Sequence, residues 1–148
     1  MLISATVRND QNGHEVLVRT GDGTQSLAVP SKPSGKGSAV NGGEFLMLAR
    51  ATCYCNDLYR EAERLRVPVD GVVVEASADF AGIGLAATNI RYEVRVSSPA
   101  RAEDVAELVR QTDAVAEVHN TIRAGAQVSL SAAAGAGPPQ CSSGRPSS

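Results

Sequence analysis

Residues 41–66 read NGGEFLMLARATCYCNDLYREAERLR, and this stretch decides the fold. It contains neither Gly nor Pro from residue 44 onward, and its apolar residues recur at steps of three and four. That spacing predicts a helix of about 22 residues with a broad apolar face, which ends before Pro68. The predicted inward residues are Phe45, Leu48, Ala49, Thr52, Cys55, Tyr59, Ala62 and Leu65 or Arg66. We expect such a helix to be central rather than peripheral.

The residues before this helix indicate a meander of antiparallel strands. Three strand-like runs cover residues 2–7, 14–20 and 26–29. The Asn12-Gly13 pair is a strong hairpin signal between the first two, and Pro30 ends the third because it cannot donate a ladder hydrogen bond. Residues 31–43 are rich in Ser, Pro, Gly and Lys, which favours an irregular loop leading into the helix.

The residues after the helix predict a second set of elements. Two strand-like runs with alternating apolar residues cover residues 69–80 and 86–97. A helix over residues 101–112 follows, then a short helix over residues 114–123 capped by Asp113, and a closing strand over residues 126–130. Together these elements predict an α+β fold with antiparallel sheet.

Length and composition limit the domain count and the compartment. A chain of 148 residues with 43% hydrophobic content favours one domain, which we place at residues 1–130. Residues 131–148 are rich in Ala, Gly, Pro and Ser, which predicts a disordered tail that includes Cys141. No stretch is typical of a signal peptide or a membrane span, so a cytoplasmic protein is expected.

Charge and aromatic content bear on partners. The net charge is −2, and the 14 basic residues are spread along the chain rather than clustered. Aromatic residues make up only 3%, which removes the usual stacking surfaces for single-stranded nucleic acid. Neither a nucleic acid nor a membrane is therefore expected as a partner.

Cys53 and Cys55 are the residues most able to carry chemistry. Two positions along a helix correspond to a rotation of about 200°, so the two thiols face opposite sides and cannot form a disulfide without unwinding. Only two histidines, His14 and His119, accompany them, and this favours neither a zinc site nor any other metal or cofactor. Without further information, a cysteine on an apolar helix is a small core residue.

Two segments resemble the OsmC/Ohr family of thiol-dependent peroxidases. They are NGGEFLMLARATCYC, residues 41–55, and AEVHNTI, residues 116–122, and the order of elements over residues 2–130 is similar too. Members of that family have a glycine-rich loop that opens a long central helix, a reactive cysteine on that helix, and a second cysteine at the start of a late helix. The resemblance implies antiparallel sheets packed around the central helix, in an intertwined homodimer with each active site at the subunit boundary.

The resemblance also implies roles for individual residues. It places the peroxide-reacting thiol on Cys53 and leaves Cys55 as a packed or half-buried thiol with no role. Ala116 stands where the family has its second cysteine, and Glu117 stands where proline is usual. A sulfenic acid on Cys53 would then need an external thiol as reductant.

Family members also use a carboxylate that holds an arginine beside the thiolate. Glu44 is the nearest carboxylate in this chain, although Gly43 occupies the more usual position, and Arg19 is the candidate arginine. Simpler interpretations remain open, because an acidic residue suits any first helical turn and Arg19 suits an exposed strand end. Arg50, three residues before Cys53, is a second candidate, and a solvated helix arginine is its simpler interpretation.

A triad of Cys53, His119 and Asp113 is not favoured, because His119 on a short polar helix is expected at a surface or an interface. The leading functional hypothesis is reduction of hydroperoxides through Cys53 in an oxidative stress response, with an external thiol as reductant. The first alternative is a catalytically degenerate dimer that binds a small apolar ligand. Acyl or sulfur transfer through Cys53 is the second.

Overall fold

The computed structural model describes residues 1–131, and within them five strands and three helices form an α+β arrangement. In chain order these are β1 (Ile3–Asp10), β2 (Gly13–Thr20), β3 (Gly23–Leu27), α1 (Gly42–Leu65), β4 (Gly71–Asp79), β5 (Thr88–Ser97), α2 (Ala102–Val115) and α3 (Glu117–Ala124). Strands β1, β2 and β3 form one antiparallel sheet, and β4 and β5 form another. The predicted α+β class and antiparallel pairing are confirmed.

The N-terminal sheet has one apolar face that the other residues of the described range 1–131 leave largely uncovered. Val7 pairs with Val16, and Val16 pairs with Leu27. Directly opposed residues share a face of the sheet, so the apolar face consists of Ile3, Ala5, Val7, Val16, Val18 and Leu27. Val16 is buried, yet Val7 is 62% exposed, and the sheet packs mainly within itself.

Helix α1 begins and ends with specific capping interactions. The side chain of Asn41 accepts a hydrogen bond from the Glu44 backbone at 3.0 Å, and the Glu44 carboxylate accepts one from the Asn41 backbone at 2.7 Å. This reciprocal pair is a capping box, which satisfies two backbone donors at the helix start. At the other end Arg66 adopts a left-handed conformation, with φ of 57°, and its N–H bonds back to Ala62 and Glu63. The 24-residue helix matches the predicted position.

The core lies between α1, the β4–β5 hairpin and the two later helices. Tyr54, Leu58 and Ala62 of α1 are buried together with Leu108 of α2 and with Ala116. Partly buried side chains from β4 and β5 pack against this cluster, among them Val72, Val74, Tyr92, Val94 and Val96. Aliphatic packing with a tyrosine at its centre therefore holds α1 against the rest of the chain.

The predicted apolar stripe of α1 coincides only in part with its buried face. Leu48 is 58% exposed, whereas Arg50, Asp57 and Glu61 are buried. Periodicity treats charged residues as facing solvent, but each of these charges has a partner that compensates for burial. Arg50 lies over an aromatic ring, and the two carboxylates form ion pairs with arginines on the same helix.

Two predictions at the C-terminal end are wrong for this chain. Residues 126–130 do not form the closing strand; Val128 and Leu130 are 96% and 87% exposed. A strand needs a neighbour with which to share hydrogen bonds, and no strand within residues 1–131 pairs with this segment. Asp113 does not cap a helix either, because α2 continues through it to Val115 and the extended backbone of Ala116 separates α2 from α3.

Two further predictions concern the chain ends and membranes. The predicted tail lies outside the described residues from position 132 onward, as does Cys141 within it. Among the helices of residues 1–131, none combines the length and the apolar character that a membrane span requires.

Replacing Asn41 should loosen the start of α1. Asn41→Ala removes the side-chain acceptor for the Glu44 backbone, and we expect the free energy of unfolding to fall by about 1 kcal/mol. Urea denaturation followed by circular dichroism measures this change. Asn41→Asp keeps an acceptor at the same position and serves as the control. An equal loss in both variants would show that the capping hydrogen bond is not what stabilises the helix start.

Candidate functional site

Cys53 projects from the middle of α1 toward the start of α3. Its Sγ atom lies 3.3 Å from Oδ2 of Asp57 and 3.7 Å from Oε2 of Glu117, and the thiol is half-buried. The backbone N–H of Val118 also bonds to the sulfur. The thiol therefore sits between the buried side of one helix and the first turn of another.

The helical repeat explains why these groups meet. Asp57 follows Cys53 by four residues and Arg60 follows Asp57 by three, so all three side chains lie along one side of α1. Nη1 of Arg60 is 2.9 Å from Oδ1 of Asp57 and 3.8 Å from a carboxylate oxygen of Glu117. Arg60 thus links the carboxylate on α1 with the carboxylate on α3.

The electrostatic environment keeps the Cys53 thiol protonated. Burial raises the pKa of Cys53, and the carboxylates of Asp57 and Glu117 raise it further, against the opposing effect of the Val118 N–H. Burial also raises the pKa of Asp57, and Glu117 adds to that rise, while Cys53 and Arg60 counteract it. The site holds the thiol, not the thiolate, as its resting form at neutral pH.

Glu44 and Arg19, the two predicted supporting residues, lie elsewhere in this chain. The Glu44 carboxylate belongs to the capping box at the start of α1. Arg19 lies on β2, and its Nε donates to the Thr24 hydroxyl at 3.2 Å across the β2–β3 pair. Within residues 1–131, neither side chain is a hydrogen-bond or ion-pair partner of Cys53.

Gly43, at the position where the resembled family has its carboxylate, has little room for a side chain. A Cβ atom there would lie 3.0 Å from the Phe80 ring and 3.2 Å from the capping oxygen of Asn41. The Phe80 ring and the Asn41 side chain would both have to shift by a few tenths of an ångström. The absence of a carboxylate at position 43 therefore matches the local packing as well as the sequence.

A buried aromatic and charged cluster lies beside the thiol and was not predicted from the sequence. His119 is 1% exposed; its ring centroid is 4.5 Å from that of Tyr92 and 5.6 Å from that of Tyr54. The Arg50 guanidinium lies 5.7 Å from the Tyr92 ring centroid and donates to the Arg91 carbonyl. The expectations of a surface His119 and of a solvated Arg50 are both wrong.

Asp113 anchors the far side of this cluster. Its carboxylate accepts hydrogen bonds from the Tyr92 hydroxyl and from Arg123, the latter at 2.7 Å. Burial, with Arg50 and Arg123 nearby, lowers the pKa of His119 and favours the neutral imidazole. Within the described residues neither His119 nor Asp113 bonds to Cys53, so the geometry gives no support to a Cys-His-Asp triad. The sequence signal for the burial of His119 is the spacing of Val115, Val118 and Ile122 around it, at helical steps of three and four.

Two remaining features bear on the cysteines and on metals. Cys55 is a half-buried free thiol, as expected. The sulfur of Cys53 and one carboxylate oxygen each of Asp57 and Glu117 lie within 4.8 Å of one another, a spacing that ligands of one metal ion can have. Three protein ligands with an open fourth position are typical of catalytic zinc sites, but here Arg60 already supplies a positive charge to both carboxylates.

Comparison with known proteins points to one family and one fold. The family model described as "OsmC-like protein" matches residues 35–131. The structure resembles an OsmC-like protein from Mycoplasma pneumoniae, with a TM-score of 0.56, 13% identity, and coverage of 82% of this chain and 85% of that one. It also resembles an organic hydroperoxide resistance protein from Legionella pneumophila, with a TM-score of 0.55, 17% identity, and coverage of 83% and 90%.

A third similar structure is an OsmC-like hydroperoxide resistance protein from Jannaschia. Its TM-score is 0.52 at 17% identity, and the alignment covers 86% of each chain. No curated protein sequence matches the chain. At these identities the structural likeness establishes the fold alone.

Ala116→Cys should form a disulfide with Cys53. Ala116 is buried immediately before Glu117, whose carboxylate reaches the Cys53 sulfur. We expect an oxidised Cys53–residue 116 linkage in a background where the other two cysteines are serine, detected by peptide mass spectrometry with and without reductant. The control is Ala114→Cys, an exposed position on the last turn of α2. Equal linkage in both variants would contradict the placement of position 116 beside the thiol.

Proposed function

Because the chain belongs to the OsmC-like protein family, we propose that it reduces hydroperoxides through Cys53, with an external thiol as reductant. The observation that carries this proposal is the position of Cys53, half-buried on α1 and enclosed by the first turn of α3. Two similar structures bear the name hydroperoxide resistance protein. A role in the response to oxidative stress follows from this activity.

The chemistry at Cys53 would proceed in two stages. In the first, the sulfur attacks the distal oxygen of the hydroperoxide, the O–O bond breaks, and Cys53 becomes a sulfenic acid while an alcohol leaves. Ala116 provides no second sulfur at the late-helix position. An external thiol therefore attacks the sulfenic acid, and a second one releases Cys53 by thiol–disulfide exchange. Small thiols are abundant in the reducing cytoplasm, which is the compartment we propose.

We further propose that the working unit is a homodimer. The apolar face of the N-terminal sheet, defined above, carries exposed Ile3 and Val7, and the C-terminal segment exposes Val128 and Leu130. Uncovered apolar surface of this kind favours association. Burial of both surfaces against a second copy would also bring a partner's Arg19-bearing sheet to the chain. Arg19 pairs with Ser4 and Thr24 on the opposite face of that sheet, so burial of the apolar face does not by itself turn Arg19 toward Glu44.

A specific observation also favours the alternative of a non-catalytic dimer that binds a small apolar ligand. A surface cleft of about 510 Å³ lies beside the start of α1, and Met47, Ala78 and Phe80 contribute apolar lining. The raised pKa of Cys53 also reduces the thiolate available for peroxide chemistry. Binding of an apolar fluorescent probe that survives in Cys53→Ser, without peroxide turnover in the wild type, would favour this function.

Peroxide consumption should depend on Cys53, and the Cys53 thiolate should form only at raised pH. With dithiothreitol as reductant, we expect wild-type protein to consume an organic hydroperoxide and Cys53→Ser to lose at least 90% of that rate, roughly tenfold or more. Because the pKa of Cys53 is raised, the thiolate fraction, followed by the rate of iodoacetamide alkylation, should keep rising with pH above neutrality. Cys55→Ser is the control and should retain the rate. Equal turnover in the wild type and in Cys53→Ser would exclude this function.

Association should depend on the apolar face of the N-terminal sheet. Val7→Glu places a charge on that face, and we expect its molar mass in solution to fall from that of a dimer to that of a monomer, measured by light scattering after size exclusion. Thr6→Glu introduces the same charge on the opposite face of β1 and should remain dimeric. A wild-type monomer would contradict the proposed assembly.

A further inference from the structure

Asp57 is the carboxylate in direct contact with the sulfur that would react. It follows Cys53 by four residues on the same helix, so no loop or domain movement separates the two groups. Its side chain is only 6% exposed, whereas that of Glu117 is 68% exposed. A proton shared between Cys53 and Asp57 is therefore sheltered from solvent, whereas a proton shared between Cys53 and Glu117 is exposed to it.

The two oxygens of Asp57 have separate partners. Oδ1 binds Nη1 of Arg60 at 2.9 Å, and Oδ2 accepts the thiol hydrogen bond at 3.3 Å. The ion pair with Arg60 holds the carboxylate plane while leaving the second oxygen directed at the sulfur. This is the geometry of a base held in place by a third group, with hydrogen-bond contact to the nucleophile.

Within one copy of the chain, the groups around the thiol favour such a base. Of the charged side chains within residues 1–131, Asp57 and Glu117 act on Cys53, and both are acidic. Neither a cation nor a histidine contacts the thiol there to generate a thiolate in advance. If a protonated thiol is to attack a peroxide, its proton must leave as the S–O bond forms, and the departing alkoxide must receive one.

We propose that Asp57 is a catalytic residue that takes the proton from the Cys53 thiol and delivers it to the alkoxide leaving the peroxide. This inference rests on the proposed peroxidase function. The sulfur bonds to the distal, hydrogen-bearing oxygen, the O–O bond breaks, and the alkoxide gains the proton that the thiol lost. Cys53-SH and ROOH thus become Cys53-SOH and ROH; the sulfur loses two electrons and the peroxide gains them. Asp57 ends in its starting protonation state.

This role has a consequence that a structural carboxylate would not have. Removal of the Asp57 charge should favour the Cys53 thiolate and so speed any reaction that needs only a thiolate, such as alkylation by iodoacetamide. The same change should slow peroxide reduction, because the leaving alkoxide loses its proton donor. Any change in the intrinsic nucleophilicity of the sulfur affects both reactions, so the ratio of the two rates isolates proton delivery.

The test compares the two rates in single turnovers, with dimedone labelling of the sulfenic acid for oxidation and mass spectrometry for alkylation. In Asp57→Asn we expect faster alkylation and a ratio of oxidation to alkylation that is lower by roughly tenfold or more. Glu117→Gln is the matched control, because it also removes a negative charge near the sulfur; it should raise both rates together and preserve the ratio. An unchanged ratio in Asp57→Asn would overturn the role of Asp57.

Two further measurements separate the possible failures. If Asp57→Asn does not fold, wild-type oxidation in heavy water should be slower than in water at matched points of the pH profile, while alkylation should not; equal oxidation rates overturn the proposal. If dimedone does not label wild-type Cys53 after peroxide treatment, the proposed peroxidase function fails and the role of Asp57 fails with it. If wild-type Cys53 is oxidised but the ratio is insensitive to Asp57→Asn, only the role of Asp57 fails.

Discussion

The helical repeat of α1 links the packing of this domain to its thiol chemistry. Tyr54, Leu58 and Ala62 hold the helix against α2 and the β4–β5 hairpin. Cys53 and Asp57 each precede one of these core residues by a single position, so the chemical groups lie at the edge of the same buried face. Any shift of α1 would therefore move the thiol and disturb the core at the same time.

The charges beside the core follow from the same constraint. Side chains at the edge of a buried face lose water, and a charge there needs a partner. Arg60 and Arg64 supply partners for Asp57 and Glu61 from the solvent side of the helix, while Arg50 rests on the ring of Tyr92. Burial then has opposite effects on different groups, because it favours the neutral form of each: the thiol stays protonated and the imidazole of His119 stays uncharged.

The sequence was sufficient to predict what depends on local pattern. The length of α1 follows from the run without Gly or Pro after residue 43 and from Pro68, although Gly42 and Gly43 form its first residues. The three antiparallel strand pairs follow from alternation and turn residues. The burial of Arg50 and His119 could not be predicted, because it depends on ring contacts between segments distant in sequence. The burial of Asp57 was missed although its partner Arg60 is three residues away on the same helix, because periodicity treats a charged residue as facing solvent. The resemblance to a known family located Cys53 and position 116, yet it gave no indication of Asp57, which belongs to none of the motifs compared.

The close approach of Phe80 to Gly43 also bears on how this chain can change over evolutionary time. A glutamate at position 43 would place a carboxylate one residue before Glu44, but its Cβ would press on both the Phe80 ring and the capping oxygen of Asn41. One substitution would thus add the carboxylate and also loosen the start of α1. Phe80 is 51% exposed and its ring has room to move, whereas the Asn41 oxygen is held in the capping box, so the helix cap is what limits which residues position 43 can accept.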